Sequence, residues 1–289
     1  MEYARPELIE EPAALAERLG KANLRIVDAT VFLVPGQHGY RAESGAERFD
    51  QGHIPGAVFM DLIDAFSDTT TGLGFSLPDP GIIADGLGRL GISNDSEVVV
   101  YSTGHLMWAT RAWWLLRYVG HQRASVLNGG FDAWRALDLP VDTGTTALAE
   151  AAYQPRPVPS LFTDLGGMLR AMDEPGVCTV NALSAEVYAG TGAMSYGRPG
   201  HIPGSVNVHY EDLLADGRFK PAGALSDALQ AKGVLDADRV VTYCGGGIAA
   251  TLDGFACQLL GRDDVAVYDG SMSEWARDPS LPLTVGEAP

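Results

Sequence analysis

The chain has 289 residues, 46% of them hydrophobic, 20% charged and 8% aromatic, with a mean hydropathy of +0.02. Such a composition excludes disordered and fibrous classes and leaves ample apolar material for a core. Acidic residues outnumber basic ones 37 to 20, and the resulting formal charge of −17 repels phosphate polyanions, so nucleic-acid binding is not expected. No apolar run approaches the ~18 residues that span a bilayer, which argues against a membrane protein. Residues 1–7 are acidic and lack the apolar core of a signal peptide. Cys178, Cys244 and Cys257 are too few and too scattered for a disulfide framework or a zinc site. The expectation is a cytoplasmic protein without metal or cofactor.

In chain order, the strand Arg25-Ile26-Val27-Asp28-Ala29 comes first, followed by Gly52-His53-Ile54-Pro55-Gly56-Ala57-Val58. A β-branched run, Val98-Val99-Val100-Tyr101, precedes a helix-length segment ending near Gly120. Then come Val126-Leu127-Asn128-Gly129-Gly130-Phe131-Asp132-Ala133-Trp134 and the exit Leu139-Pro140. Residues 143–160 carry threonines, alanines and alternating prolines at 155, 157 and 159, without apolar periodicity, and read as a linker. The whole set then returns: strand 176–182, Gly200-His201-Ile202-Pro203-Gly204-Ser205-Val206, Val240-Val241-Thr242-Tyr243, Val267-Tyr268-Asp269-Gly270-Ser271-Met272-Ser273-Glu274-Trp275 and Leu281-Pro282. Order and spacing are kept, so the chain is a tandem duplication. Strands alternating with helical stretches predict α/β units around mostly parallel sheets. The domains are expected at 1–142 and 161–289, joined by 143–160.

Ligands of open α/β sheets bind beyond the carboxyl ends of strands. In the second repeat that place holds Cys244-Gly245-Gly246-Gly247-Ile248-Ala249-Ala250. The glycines permit φ > 0, so successive N–H groups can turn inward on one centre. Beyond them Ile248, Leu252, Phe255 and Leu259 follow helical spacing. A helix beginning there places its positive end near the sulfur and favours negative charge on it, as a nucleophilic cysteine needs. Taken alone, the loop is equally compatible with a small buried cysteine at a strand end.

The complete set of motifs resembles the two-domain rhodanese-type sulfurtransferases, the group of thiosulfate and 3-mercaptopyruvate sulfurtransferases, over residues 20–286. The resemblance implies two tandem rhodanese-like domains, each a mostly parallel sheet flanked by helices, with only the second catalytic. It implies that Cys244 takes sulfane sulfur from a small anionic donor and becomes a persulfide. The sulfur then passes to a thiophilic acceptor, cyanide or a thiol, and the amides of Gly245, Gly246, Gly247, Ile248, Ala249 and Ala250 hold it in between. The first repeat has Ser102-Thr103-Gly104-His105 at the same strand end, and serine cannot form a persulfide. Ser102 to Gly120 is 18 positions against 17 from Cys244 to Gly261, which predicts one extra residue in the first loop. No Gly-x-Ser-x-Gly elbow surrounds Ser102, which argues against a hydrolase dyad with His105.

The donor is less legible. Thiosulfate-type loops usually carry basic residues after the cysteine, where this chain has Gly245 and Gly246. Mercaptopyruvate-type loops usually run Cys-Gly-Ser/Thr-Gly-Val-Thr-Ala, and this loop shares their neutrality but lacks their hydroxyls. The arginines that type uses on the donor carboxylate are replaced by Leu183 and Val187. Of its first-domain acid and histidine, Asp61 matches the acid, whereas Phe75 falls at the histidine. Arg198, in a Gly-Arg-Pro-Gly turn, is the candidate for supplying the missing charge, since arginine suits bidentate capture of an oxyanion. His53 and His201 read as turn-stabilising because both repeats keep them. Cys178 reads as a buried small hydrophobe, and Cys257 is too far along its helix to resolve Cys244. Trp108, Trp113 and Trp114 read as core or interdomain packing. Six positions after Cys244 stands Ala250, not the arginine of a Cys-x5-Arg phosphatase. The rival of another class is a non-catalytic binding module on the same fold.

Overall fold

The computed structural model describes residues 2–36 and 39–289. Its first sheet is formed by β1 (Ile9–Glu10), β2 (Leu24–Asp28), β3 (Ala57–Phe59), β4 (Glu97–Tyr101) and β5 (Ala124–Leu127). The second has β6 (Phe162–Thr163), β7 (Val177–Asn181), β8 (Val206–Asn207), β9 (Arg239–Tyr243) and β10 (Val265–Tyr268). Strand orders are β1-β5-β4-β2-β3 and β6-β10-β9-β7-β8, every pairing parallel. The two sheets therefore share one topology, as a duplication requires. Helices cover both faces, so central strands such as Val98–Tyr101 are buried throughout and can be continuously apolar. Residues 143–158 hold no helix or strand and run over the first sheet's helices, with Ala151 N–H donating to the Gly88 carbonyl and Arg156 N–H to that of Val119.

The repeated motifs have a common mechanical role. The tyrosine ending each central strand accepts, through its hydroxyl, the isoleucine amide of the Gly-His-Ile-Pro-Gly turn: Ile54 to Tyr101 at 3.3 Å and Ile202 to Tyr243 at 3.0 Å. His53 and His201 each donate Nδ1–H to a carbonyl, of Phe49 and Tyr188, at 2.8 Å. Each imidazole stacks on the ring of that same residue. Trp134 and Trp275 donate their indole N–H to the carbonyls of Pro140 and Pro282. These are packing devices, which is why both copies keep them.

The halves meet along two helices, α1 (Met107–Tyr118) and α3 (Ala249–Leu259); α2 (Gly130–Arg135) and α4 (Ser271–Trp275) are the short helices that follow β5 and β10. Every residue of α3, and α1 from Met107 to Leu116, is buried. A helix buried all round must be covered on every side. Here its own sheet covers one side and the other half's helix another. Gly254 lets α3 approach, since a Cβ there would lie 2.7 Å from the Trp114 ring. Polar groups in the seam are paired: Thr110 with Thr251 at 2.7 Å, and the Trp114 indole N–H with the Thr251 carbonyl at 2.9 Å. Both helices start five positions after the strand-end residue, Met107 after Ser102 and Ala249 after Cys244. The extra residue of the first repeat thus lengthens α1 and not its loop. Cys178 is only half-buried, because it lies toward the start of β7, while Cys257 is fully buried.

One group on α3 is left without compensation. Among the described residues Asp253 of α3, 1% exposed, has no hydrogen-bond partner on either oxygen, and burial raises its carboxyl well above the usual range. A raised folded pKa means stability that is complete below the unfolded value, ~3.9, and is lost as pH rises toward the folded one. Asp253→Asn is therefore expected to flatten the decline in thermal stability between pH 4 and 7. At pH 7 its melting temperature should exceed wild type by about 2–4 °C per kcal/mol recovered.

Candidate active site

Cys244 follows β9 and precedes α3, with a side chain that is 2% exposed. The loop after it is held from outside. Gly247 lies at φ +73°, and a Cβ there would fall 2.5 Å from the Asp269 carbonyl oxygen, so only glycine fits. The Ser271 hydroxyl accepts the amides of Cys244 and Gly247, both at 3.1 Å, and donates to the Tyr268 carbonyl at 2.8 Å. Ser271 itself sits at φ +49°, a left-handed conformation that these three bonds help to hold. The α4 amides of Met272 and Ser273 donate to the carbonyls of Cys244 and Gly245.

What remains unengaged is informative. Within the described residues the amides of Gly245, Gly246, Ile248, Ala249 and Ala250 donate to nothing in the protein. They belong to the turn and to the first turn of α3, where helical geometry leaves donors free. A negatively charged sulfur on Cys244 is the group such donors suit. Gly246 is the one loop glycine that is only half-buried, and it marks the opening.

The same loop in the first half has most of its amides engaged by the protein itself, with those of Leu106 and Trp108 left free among the described residues. Thr103 N–H donates to the Thr30 hydroxyl, Gly104 N–H to Asp132 Oδ2 at 2.9 Å, His105 N–H to the Thr103 carbonyl and Met107 N–H to His105 Nδ1. Asp132 thereby places a carboxylate on one loop amide. Its counterpart in the second repeat is Ser273, and the counterpart of Ser271 is Gly130. A cavity of about 310 Å³ lies beside this first loop, bordered by His105, Asp132, Asp216 and Arg218.

The first half also roofs the Cys244 loop. Arg111 of α1 is 1% exposed; its Nη1 donates to Asp269 Oδ1 at 2.7 Å and to the Gly247 carbonyl at 3.4 Å, and its Nη2 to the Phe75 carbonyl. Asp269 Oδ2 accepts the Leu77 amide at 2.7 Å. Arg277 donates to the Gly72 carbonyl at 3.0 Å. Segment 72–77 is thereby fastened over the loop, with the Gly74 carbonyl 3.9 Å from where a Cβ of Gly246 would be. Tyr196 and Tyr210 complete the surround. Burial, followed by the charge of Cys244, holds the Tyr196 hydroxyl above the ordinary phenol range; burial and then Glu211 do the same to Tyr210.

Two candidates from the sequence are engaged in other contacts. Arg198 donates to the carbonyls of Trp275, Ala276, Asp278 and Leu281, fastening the chain beyond α4, and its guanidinium is taken up by that task. Asp61 accepts the amides of Ile63 and Asp64 and caps a turn; no hydrogen bond or ion pair joins it to the 244–250 loop. Phe75, at the expected histidine position, has φ +62° and packs on Trp108 with ring centroids 5.1 Å apart. Arg111, Asp132, Asp269, Ser271, Ser273 and Tyr196 were not singled out from sequence. For the two serines a signal existed, since they are the places where the repeats differ chemically. Arg111 stands in a Trp-rich helical run that reads as core.

Fold and site define a duplicated parallel α/β protein in which one strand-end loop carries a cysteine and its twin does not. Comparison with known proteins agrees. The Rhodanese-like domain family matches residues 11–137 and 186–278. The chain is 33% identical over 273 residues to the 3-mercaptopyruvate sulfurtransferase of Escherichia coli (strain K12), covering 93% of this chain and 95% of that one. It is 35% identical over 266 residues to the thiosulfate sulfurtransferase of Gallus gallus, covering 91% and 89%. The crystal structure of SseA from Escherichia coli, a 3-mercaptopyruvate sulfotransferase by its description, superposes with a TM-score of 0.81 at 32% identity over 91% of this chain and 98% of that one. The chain belongs to the rhodanese family of tandem-domain sulfurtransferases.

Two substitutions test the geometry. Arg111→Met leaves the partly buried Asp269 without its cation, so denaturant unfolding should show a loss of about 3 kcal/mol, the lower end for breaking a buried pair. Ser273→Asp reproduces the first-half arrangement in the second. With a carboxylate on the loop amides, single-turnover sulfur loading should fall by about 100-fold, the size of losing an oxyanion-hole donor.

Proposed function

We propose that Cys244 accepts sulfane sulfur from thiosulfate or 3-mercaptopyruvate and delivers it, as a persulfide, to cyanide or a thiol. The observation that supports this reading is the contrast between the loops: the amides of Gly245, Gly246 and Ala249 are free beside Cys244, whereas their first-loop counterparts at Thr103, Gly104 and Met107 are engaged. The relatives' names point to both donors, and the neutral loop offers each the same backbone donors.

The chemistry is redox-neutral overall. The Cys244 thiolate attacks the outer sulfur of the donor, forming an S–S bond as the donor's bond to that sulfur breaks. From thiosulfate, sulfite leaves with the bonding pair. From 3-mercaptopyruvate, the enolate of pyruvate leaves and the thiol proton ends on its methyl group. The outer sulfur of the persulfide carries the negative charge, and the amides of Gly245, Gly246, Ile248, Ala249 and Ala250 stabilise it without a side-chain cation. In the second half-reaction the acceptor attacks that sulfur and the S–S electron pair returns to Cys244. The role of Gly247 is conformational, since its amide is taken by Ser271.

Three free thiols suit a reducing compartment, in keeping with a cytoplasmic enzyme. Burial holds the Cys178 thiol up at about 11, and burial raises that of Cys257 as well, so neither competes as nucleophile.

Cys244→Ser should fold normally yet take up no sulfur, while Cys178→Ala and Cys257→Ser retain most of the cyanolysis rate. Intact mass after incubation with donor should rise by one sulfur, mapped to Cys244. Sulfur on Cys257, or full activity in Cys244→Ser, contradicts the assignment. No sulfur uptake from any donor would favour a binding module instead.

A further inference from the structure

The cationic side chains near the Cys244 loop are already engaged. Arg111 serves Asp269, Gly247 and Phe75; Arg277 holds Gly72; Arg198 is fastened to four carbonyls. What stands against the loop is a phenol. A Cβ at Gly245 would fall 2.0 Å from the Tyr196 hydroxyl oxygen and 2.1 Å from its ring. Tyr196 thus occupies the volume that a side chain on the residue after the nucleophile would need. It is only partly buried. The Tyr210 hydroxyl donates to Glu211, whereas that of Tyr196 has no partner among the described residues. A phenol that keeps its proton, with nothing in the protein to receive it, is a free donor beside a loop arranged for negative charge.

We propose, building on the sulfurtransferase reading, that Tyr196 contacts the donor and determines specificity. Its hydroxyl hydrogen-bonds the donor at the loop mouth where a cationic side chain would otherwise pair with it. A neutral phenol strengthens a hydrogen bond to one oxygen but neutralises no formal charge. The surrounding chain carries −17. The site therefore favours neutral or singly charged donors over the thiosulfate dianion. The same contact explains Gly245: a larger residue there and the phenol exclude one another.

The test measures Cys244 persulfidation by 3-mercaptopyruvate and by thiosulfate in wild type, Tyr196→Phe and Tyr196→Arg. Wild type should prefer 3-mercaptopyruvate by at least about tenfold in kcat/KM. Tyr196→Phe keeps the ring, so its melting temperature should be unchanged. Its kcat/KM for 3-mercaptopyruvate should nonetheless fall by about tenfold, the loss expected for one hydrogen bond to a charged group, mainly through KM. Tyr196→Arg should raise kcat/KM for thiosulfate by a similar factor. An active wild type with Tyr196→Phe within twofold of it for both donors overturns the proposal.

A second readout does not depend on sulfur transfer. The rates of Cys244 alkylation by neutral iodoacetamide and anionic iodoacetate, each normalised to glutathione, should favour the amide in wild type. Tyr196→Arg should shift that ratio toward the acetate. A ratio indifferent to both substitutions overturns the proposal even in a chain that accepts sulfur from no donor. Absence of persulfide in wild type, with the ratio responding as expected, overturns the sulfurtransferase reading alone.

Discussion

The contact between Arg111 and Asp269 organises this molecule. It is an ion pair with one partner almost wholly buried, and such pairs hold together only when geometry and further hydrogen bonds offset desolvation. Here both conditions are met by backbone groups from two separate places. Arg111 reaches the Gly247 and Phe75 carbonyls, and Asp269 receives the Leu77 amide. One pair thereby fixes the seam between the halves, the curl of the cysteine loop and the segment that roofs it. The domain without a cysteine is a structural partner of the site, contributing wall and anchor.

Duplication supplies an internal control for the chemistry. Both loops end a parallel strand, both precede a buried helix, and both stand in the same topology. Their difference is therefore not one of fold. In the first, Asp132, the Thr30 hydroxyl, a loop carbonyl and an imidazole nitrogen take four amides, and those of Leu106 and Trp108 stay free. In the second, Ser271 takes two and the rest stay open toward the sulfur. In the first copy the protein's own groups fill part of the space that an anion would take in the second. A serine in place of Ser102's cysteine counterpart is only part of that difference.

Much of this was legible in the sequence, and the parts that were not share a physical cause. Repeated motifs revealed the duplication, the parallel α/β class and the cysteine loop, because strand patterns and glycine turns are local signals. The same local logic does not show where Arg198 and Asp61 are engaged. An arginine in a turn near a site looks available, but its hydrogen-bond partners are carbonyls some 80 positions away in sequence. Arg111 shows the converse: it looks like helix core until the other domain's Asp269, 158 positions on, is brought against it. Tyr196 lies in Ala-Met-Ser-Tyr-Gly, where no periodicity marks a direction, and only the backbone of Gly245 defines its role. The count that placed an extra residue in the first loop was correct in length and wrong in place, since spacing between landmarks cannot say which element absorbs it.

The claim at the centre of this account is that the Cys244 loop amides hold the transferred sulfur. A crystal structure of the donor-treated protein, with the sulfurs located by anomalous scattering, tests it most directly. The account predicts one added sulfur on Cys244, within hydrogen-bonding distance of the amides of Gly245, Gly246, Ile248, Ala249 and Ala250, and none at the Ser102 loop. An added sulfur on Cys244 turned away from those amides, or one found only on Cys178 or Cys257, would contradict it.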